Sequence, residues 1–285
     1  MKRIRIKHIN HYLVWGPLII LYSPIIYQLY RSRWHIIDYT HAYFILPLSL
    51  WFAFQKRHEF KNHLQPLSFR CEFASLLLFI FGLLTFIFGW RQDYLFISTI
   101  SLIPVLFGLI TFLYGTAIAK ALSFPVLYLL LMVPPPLGIL DNITLPMRKG
   151  VSILTEMILK LLNYPVTREG LLLFVGKHQI FMGQPCSGLR SLITMISLGL
   201  AYTYIIKGSW AKKLFLLAAV IPLTLAGNLI RVVAVCIATY YLGETKGQKI
   251  FHDFSGFAIF IIVILGLIAL EHLWERLNKK RKNEV

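Results

Sequence analysis

Long uninterrupted apolar runs dominate this sequence and restrict the folds that it can adopt. Eight of them, separated by charged residues or by proline and glycine, fall at about 12–30, 41–54, 73–90, 94–113, 121–133, 187–206, 213–241 and 253–274. A helix needs on the order of 20 apolar residues to cross a hydrocarbon core of about 30 Å. The pattern therefore predicts an all-α polytopic membrane protein with about eight transmembrane helices, of which the second and fifth are short for a full crossing.

Composition supports this interpretation. Of the 285 residues, 57% are apolar and 14% are charged, whereas an average soluble domain has roughly 25% charged residues. The formal net charge of +17 would suggest a nucleic-acid partner in a soluble protein. In a polytopic chain, Lys and Arg collect in short cytoplasmic loops and contact anionic headgroups, so we expect the partner of these cations to be the lipid bilayer and not nucleic acid.

The positions of the cations predict the orientation and the division of the chain. With the N-terminus inside, the inner segments hold 17 of the 29 Lys and Arg residues, which favours cytoplasmic termini at both ends. Three segments follow. Residues 1–133 form an N-terminal bundle of five transmembrane helices, 134–185 form an external segment, and 186–285 form a three-helix segment with a basic cytoplasmic tail.

The external segment has its own local patterns. From Thr144 to Leu162, apolar and charged positions alternate at helical spacing, which predicts an amphipathic helix on the outer leaflet. Further along, Leu171–Val175 and Gln179–Met182 flank a Gly-Lys pair and predict a short hairpin.

Common metal and phosphate motifs are absent from the sequence, which has no Walker-type glycine-rich loop, no His-Glu-x-x-His pair and no Cys-x-x-Cys pair. We therefore expect no cofactor and no bound metal. The candidates for chemistry are the polar residues in or beside the apolar runs, because ionisable side chains cost free energy in a membrane and are functional hypotheses by default.

Each of the last three runs brings one such residue to the predicted outer side. Cys186 begins the sixth crossing, where the helix N-terminus and Arg190 at i+4 would favour the thiolate. Arg231 lies in the outer turns of the seventh crossing, with Asn228 at i−3 placed to hold its guanidinium. His252 opens the eighth. Taken singly, they could be an inert small side chain, an interfacial anchor and a structural histidine. Their convergence on one face favours an active site.

Three short motifs carry a family resemblance. Cys-Ser-Gly-Leu-Arg-Ser at 186–191, Asn-Leu-Ile-Arg at 228–231 after Pro222, and His252 followed by Gly256 resemble the motifs of the exosortase and archaeosortase family of membrane cysteine transpeptidases in order and spacing. The stretch from Asp38 to Ala42 is similar to the family's Asp-Tyr-Ser-His-Gly segment. Ala42 replaces its glycine, so we assign no role to the histidine there, His41.

The resemblance implies a PEP-CTERM-type protein-sorting enzyme in a cell (inner) membrane, with its active site on the outer or periplasmic face. Its substrates would be secreted proteins that end in a short motif such as Pro-Glu-Pro, a membrane helix and a basic tail. Peptide transfer needs a nucleophile, a proton shuttle and a positive group at the oxyanion. Those roles would fall to Cys186, His252 and Arg231, with a thioester that an amine or water resolves.

Three further residues are expected to support this site. Arg190 would stabilise the thiolate or contact a substrate carboxylate, Asn228 would position the guanidinium of Arg231, and Ser187 belongs to the nucleophile motif.

Two other functions remain open from the sequence. A transporter could use Arg190, Arg231 and Glu156 to line an anion path, and a structural subunit of an envelope export system would need no catalytic side chains. A disulfide between Cys186 and Cys236 is a further alternative. Cys71, predicted near the cytoplasmic face, is expected to be inert.

Overall fold

The computed structural model describes residues 11–34, 41–58, 68–133 and 139–283, apart from the side chains at 11–12, 139–141, 184–185, 245–258, 278 and 280–283. Helices dominate the described part of the chain. In order they are α1 His11–Leu29, α2 Ala42–Gln55, α3 Phe69–Arg91, α4 Leu95–Ile100, α5 Leu102–Tyr114, α6 Thr116–Ala121, α7 Ser123–Tyr128, α8 Ile139–Leu161, α9 Leu189–Ile205, α10 Trp210–Leu242 and α11 Glu244–Asn283.

Several of these helices are suited to a membrane. Within the described ranges, four helical stretches are long and apolar enough to cross one, namely Leu13–Trp34, Phe69–Arg91, Leu95–Tyr114 and Trp210–Leu242. Ser123–Met132 and Leu189–Ile205 are shorter apolar helices. The predicted helical membrane protein is therefore confirmed in kind, whereas the number of eight crossings stays a prediction.

Packing divides the chain into two compact units, 1–136 and 137–285, and the finer boundaries expected at 134 and 186 stay predictions. In the first unit, α3 and α5 approach each other closely through glycines. A Cβ atom on Gly82 would lie 2.6 Å from Val105 Cγ2, and one on Gly108 would lie 2.5 Å from the Phe79 nitrogen. Small residues let membrane helices pack backbone against backbone.

The second unit contains a three-stranded antiparallel sheet in the order β1 Val166–Glu169, β2 Leu172–Val175 and β3 His178–Phe181. The predicted hairpin corresponds to β2 and β3, and β1 is an additional strand. Gly176 opens the two-residue turn between β2 and β3 with φ +61°. A glycine at that position is typical of a type II′ turn, whose twist matches that of the flanking strands.

The sheet is fixed between α8 and α10 by a shared apolar core. Its buried members are Val151, Leu159, Val166, Leu173, Val175, Ile180, Met182, Val232 and Cys236. On the α8 side, Glu156 accepts hydrogen bonds from Lys160 at 2.7 Å and from Arg168 of β1 at 3.0 Å. Helix α8 includes almost all of the predicted amphipathic helix and begins five residues earlier, at Ile139.

Helices α9, α10 and α11 form an antiparallel bundle around a second buried core. At the start of α10 the bundle carries a cluster of ion pairs, which we call the Lys212 cluster and which consists of Lys212, Tyr202, Glu271 and Glu275. The Lys212 ammonium lies 2.7 Å from both a Glu271 and a Glu275 carboxylate oxygen, and its side chain is only 6% exposed. The Tyr202 hydroxyl donates to Glu271, so one cluster joins all three helices.

Candidate active site

Cys186 lies in a short connection between β3 and α9. The chain leaves β3 at Gly183, makes a 3₁₀ turn over Gln184–Ser187, and enters α9 only after Gly188, which has φ +76°. The Cys186 N–H donates to the Gly183 carbonyl at 3.0 Å. The prediction that Cys186 begins the sixth helix is therefore wrong by about one turn, because a left-handed residue separates the turn from the helix. Arg190 does not lie one helical turn from Cys186 on a common helix.

Asn228 of α10 holds the Cys186 backbone. Its Nδ2 donates to the Cys186 carbonyl at 3.1 Å, and its side chain is fully buried. Its Oδ1 has no hydrogen-bond partner among the described residues. The sequence assigned Asn228 to the guanidinium of Arg231. A guanidinium only donates and would need the Asn228 Oδ1, so this hydrogen bond is not formed within the described residues, and Asn228 holds Cys186 instead.

Gly188 is required by this contact as well as by its backbone conformation. A Cβ atom on Gly188 would lie 2.8 Å from both Cγ and Nδ2 of Asn228. A positive φ of this size is strained for residues other than glycine. Ser187, which is buried, accepts a hydrogen bond at 3.2 Å from the N–H of Leu189, the first residue of α9.

A cavity of about 560 Å³ opens beside Cys186. Its walls come from β3 and the residues after it, from the C-terminal third of α10, and from the first residue of α11. Gln179, Phe181, Cys186, Arg231, Cys236 and Glu244 are among the lining residues. Two of the three predicted catalytic residues, Cys186 and Arg231, therefore face one space.

Burial and charge act in opposite directions on the Cys186 thiol. Burial raises its pKa above the ordinary value, while the Arg231 guanidinium, a backbone hydrogen bond with Gly183 and the charge of Arg148 lower it less. The net pKa is raised, whereas the sequence predicted surroundings that favour the thiolate. Arg190 acts electrostatically on Arg231 and is not one of the charges that act on the thiol.

The side chain of His252 lies outside the described residues, but its backbone belongs to α11. A Cβ atom on Gly227 of α10 would lie 3.5 Å from Ile259 Cγ2 of α11, which fixes the register of this antiparallel pair. Both helices rise by about 1.5 Å per residue. The His252 backbone is therefore level with Ala234, within one turn of Arg231 along the helix axis.

Sequence reasoning missed two features of this region, the charge of Arg148 and the contact of Glu244. Arg148 lies in the predicted amphipathic stretch, a pattern that carries no signal for a neighbouring thiol. Cys236 is a free, buried thiol in the same cavity as Cys186, which is also free, so the disulfide considered from the sequence is not formed here. Glu244 contacts the edge of β3, a pairing that local sequence cannot indicate.

The remaining candidates lie in the first unit. His41 is buried at the start of α2, and Cys71 is a half-buried free thiol in the first turn of α3. Within the described ranges, no group of three or more His, Cys, Asp or Glu residues is arranged to hold a metal ion.

The described part of the chain is that of a helical membrane protein in which a thiol and a guanidinium line one cavity. A family model described as transmembrane exosortase matches residues 34–269, and the chain belongs to this family. Membership supports a function of the membrane transpeptidase or protease kind. Comparisons with curated proteins and with solved structures gave no match.

Proposed function

We propose that this protein is a membrane cysteine transpeptidase that cleaves the C-terminal sorting signal of secreted proteins through a thioester. The observation that carries the proposal is that Cys186 and Arg231 line one cavity and that the guanidinium charge acts on the thiol. A nucleophile and a fixed cation within one partly closed space are what acyl transfer requires.

The first step is attack of the Cys186 sulfur on the scissile peptide carbonyl. Because burial raises the pKa of the thiol, it is protonated at neutral pH and needs a base as it attacks. His252 takes this proton, and Arg231 stabilises the oxyanion of the tetrahedral intermediate. Arginine suits that role because it remains protonated at any accessible pH.

The second step is collapse of the intermediate. The peptide C–N bond breaks, the protonated His252 gives its proton to the leaving amine, and a thioester to Cys186 remains. An amine of the acceptor or a water molecule then attacks the thioester and gives up a proton to His252. The C–S bond breaks, and the released thiolate takes that proton from His252. The Asn228 amide contributes by holding the carbonyl of Cys186, which fixes the direction of the thiol.

The proposed topology follows the cation distribution, with both termini in the cytoplasm and the cavity on the outer face of a cell membrane. Substrates then approach as secreted proteins whose C-terminal helix is still in the bilayer. In a variant that retains Cys186 as its sole cysteine, we expect a membrane-impermeant maleimide to label intact cells. Labelling only after the membrane is opened would contradict this orientation.

Processing of a reporter tests the nucleophile. The tail reporter is a secreted protein that carries, at its own C-terminus, the last segment of a host protein. That segment consists of a short motif, an apolar helix and a basic tail. We expect Cys186→Ala to abolish its cleavage while the variant accumulates normally in the membrane. Cys71→Ala is the matched control and should process at the wild-type rate, because Cys71 lies in the other unit. Unchanged cleavage in Cys186→Ala would overturn the proposal.

A further inference from the structure

Strand β3 has an open edge. The sheet order within the described residues is β1-β2-β3, so β3 pairs with one strand only. In an antiparallel pair, alternate residues direct their backbone groups at the partner and the intervening residues direct theirs away. The Gln179 N–H donates to Glu244 outside the sheet at 2.9 Å, which identifies Gln179 as an outward-pointing residue. Phe181, two residues further on, points its N–H to the same edge.

The Phe181 N–H has no hydrogen-bond partner within the described residues and is the donor that this edge offers. The Phe181 carbonyl accepts a hydrogen bond from the Gly183 N–H at 2.9 Å, so that acceptor is already engaged. The ladder with β2 uses the alternate residues, of which Ile180 stands opposite Leu173. An unpaired N–H at a strand edge is a template for another extended segment.

Glu244 marks where the carbonyl of such a segment would lie. Its carboxylate oxygen accepts from the Gln179 N–H at the position that the carbonyl of a neighbouring strand would occupy. The Glu244 side chain is exposed at the start of α11, so an entering chain can displace it without opening the core. The Glu244 carboxylate oxygen at the Gln179 N–H can therefore be replaced by the carbonyl oxygen of an entering chain.

The edge is rigid because the residues between the outward-pointing ones are anchored. Ile180 and Met182 are buried in the core that joins the sheet to α10, and Met182 also donates its N–H to the Leu171 carbonyl at 2.8 Å. A rigid edge loses little conformational entropy when a peptide binds to it.

The open edge leads directly to the thiol. It forms one wall of the cavity of about 560 Å³ that also contains Cys186 and Arg231, a volume within the range of ligand sites. Cys186 follows Phe181 by five residues, at the C-terminal end of the edge. A strand laid along β3 would bring one of its carbonyls to the nucleophile.

We infer that the protein substrate binds by β-augmentation, with the segment next to the scissile bond extended along β3 as a fourth strand. This inference rests on the proposed function and specifies its binding mode. Main-chain hydrogen bonds from Gln179 and Phe181 hold the substrate, and Glu244 yields its place to a substrate carbonyl. In this mode, affinity comes from the substrate backbone and specificity from alternate side chains.

A proline at the outward position tests the enzyme side. Phe181→Pro removes the edge N–H without removing a ladder hydrogen bond, since proline is tolerated where the N–H side of an edge strand faces outward. Phe181→Val keeps the N–H and removes the ring. We expect Phe181→Pro to process the tail reporter about tenfold more slowly than Phe181→Val. A tenfold change corresponds to about 1.4 kcal/mol, which is the size of one hydrogen bond.

The opposite edge of the sheet supplies the control for the proline itself. Arg168 of β1 also points its N–H away from β2, on the side remote from the cavity. The rates at which Arg168→Pro and Arg168→Val process the tail reporter should agree within about twofold, because a proline at this position removes no hydrogen bond between the strands. Thermal unfolding and thiol labelling of Cys186 report whether each variant is folded. A folded Phe181→Pro variant that matches Phe181→Val would overturn the inference.

The substrate side gives a second, independent test that leaves the enzyme unchanged. Synthetic tails of the reporter carry one backbone N-methyl group at each of four successive residues beside the scissile bond. Alternate residues of a strand face the same edge, and an N-methyl group that faces β3 blocks close pairing even where the β3 carbonyl is already engaged. We therefore expect losses of about tenfold at every second position and losses below about threefold between them. A uniform response would overturn the inference even if Phe181→Pro failed to fold.

These outcomes separate the two proposals. If Cys186→Ala still cleaves the tail reporter, the proposed function fails and the edge has no substrate to bind. If Cys186→Ala is inactive but neither test shows the edge dependence, the catalytic proposal stands and β-augmentation is wrong.

Discussion

The two ends of the α9–α10–α11 bundle differ in how completely their polar groups are paired. At the Lys212 cluster, one buried ammonium pairs with two carboxylates, and a tyrosine hydroxyl donates to one of them. At the cavity, the Arg231 guanidinium faces a neutral thiol and a second arginine, and the buried Asn228 Oδ1 has no partner within the described residues. About 28 Å of helix separates Lys212 from Arg231, close to the thickness of a hydrocarbon core.

This difference indicates that the Lys212 cluster contributes to stability and that the cavity is suited to chemistry. A buried charge with its counter-charges in place fixes helices relative to one another. Within the described residues, the half-buried Arg231 has no carboxylate partner, and a cation in that state costs folding free energy and is retained where a charge develops during a reaction. The prediction from this comparison is that substitutions at the Lys212 cluster change stability, whereas substitutions at the cavity change turnover.

The sharpest test of that comparison is removal of the Arg231 charge. We expect Arg231→Met to lower kcat for the tail reporter by about 10²- to 10³-fold, the loss typical of one oxyanion donor. Arg190→Met is the matched control and should lose much less, because Arg190 is not among the residues that line the cavity. If Arg190→Met lowered kcat as much as Arg231→Met, the assignment of the oxyanion-stabilising charge to Arg231 would be wrong.

At the other end, Lys212→Met should act on stability alone. It leaves Glu271 in a site with 19% exposure and without its cation, which we expect to cost roughly 2–4 kcal/mol. The measurement is the thermal unfolding midpoint in detergent, with Lys213→Met as the neighbouring control. Processing per folded molecule should equal that of the wild type. A folded but inactive Lys212→Met variant would remove the distinction between the two ends.

Gly188 tests how strongly the nucleophile depends on its backbone. Gly188→Ala forces a Cβ atom to 2.8 Å from Asn228 at φ +76°, a strain of about 1–3 kcal/mol. We expect a lower unfolding midpoint and about tenfold slower processing, because Cys186 shifts from its hydrogen bond with Asn228. Gly150→Ala is the control, since nothing lies within 4 Å of its Cβ position. A Gly188→Ala variant as stable and active as Gly150→Ala would contradict the close approach of Asn228 to Gly188.

The smallest expected effect concerns the titration of Cys186. Alkylation requires the thiolate, so a raised pKa moves the half-maximal rate to a higher pH than for a free cysteine. Arg231→Met removes a charge that lowers this pKa and should move the half-maximum to a still higher pH. Peptide mass spectrometry over a pH series measures the rate at Cys186 separately from Cys236. An unchanged half-maximum in Arg231→Met would show that the guanidinium charge does not act on the thiol.

The sequence predicted the helices that carry a simple apolar pattern and missed where polar residues extend them. Helix α10 spans Trp210–Leu242 against the expected 213–241. Helix α11 begins at Glu244, nine residues before the apolar run expected at 253–274, because its first turns are polar and resemble a loop. Hydropathy indicates which part of a helix is apolar enough for the bilayer, but it does not indicate where the helix ends.

Motif order predicted that Cys186 and Arg231 lie together but not the geometry around them. Both residues line one cavity, and the catalytic roles assigned to them and to His252 stay predictions. The partner of Asn228, the charge of Arg148 and the contact of Glu244 with β3 all depend on contacts between residues distant in sequence. The raised pKa of Cys186 was missed for the same reason, since local sequence does not report burial.

The length of α10 has a consequence for the choice of lipid. Its 33 residues extend for about 50 Å, well beyond the hydrocarbon thickness of about 30 Å. The excess must be met by tilting or by a protruding end, and acyl chain length sets how much of each is needed. In nanodiscs of increasing acyl chain length, the mouth of the cavity would sink toward the headgroups, so turnover should pass through an optimum with bilayer thickness.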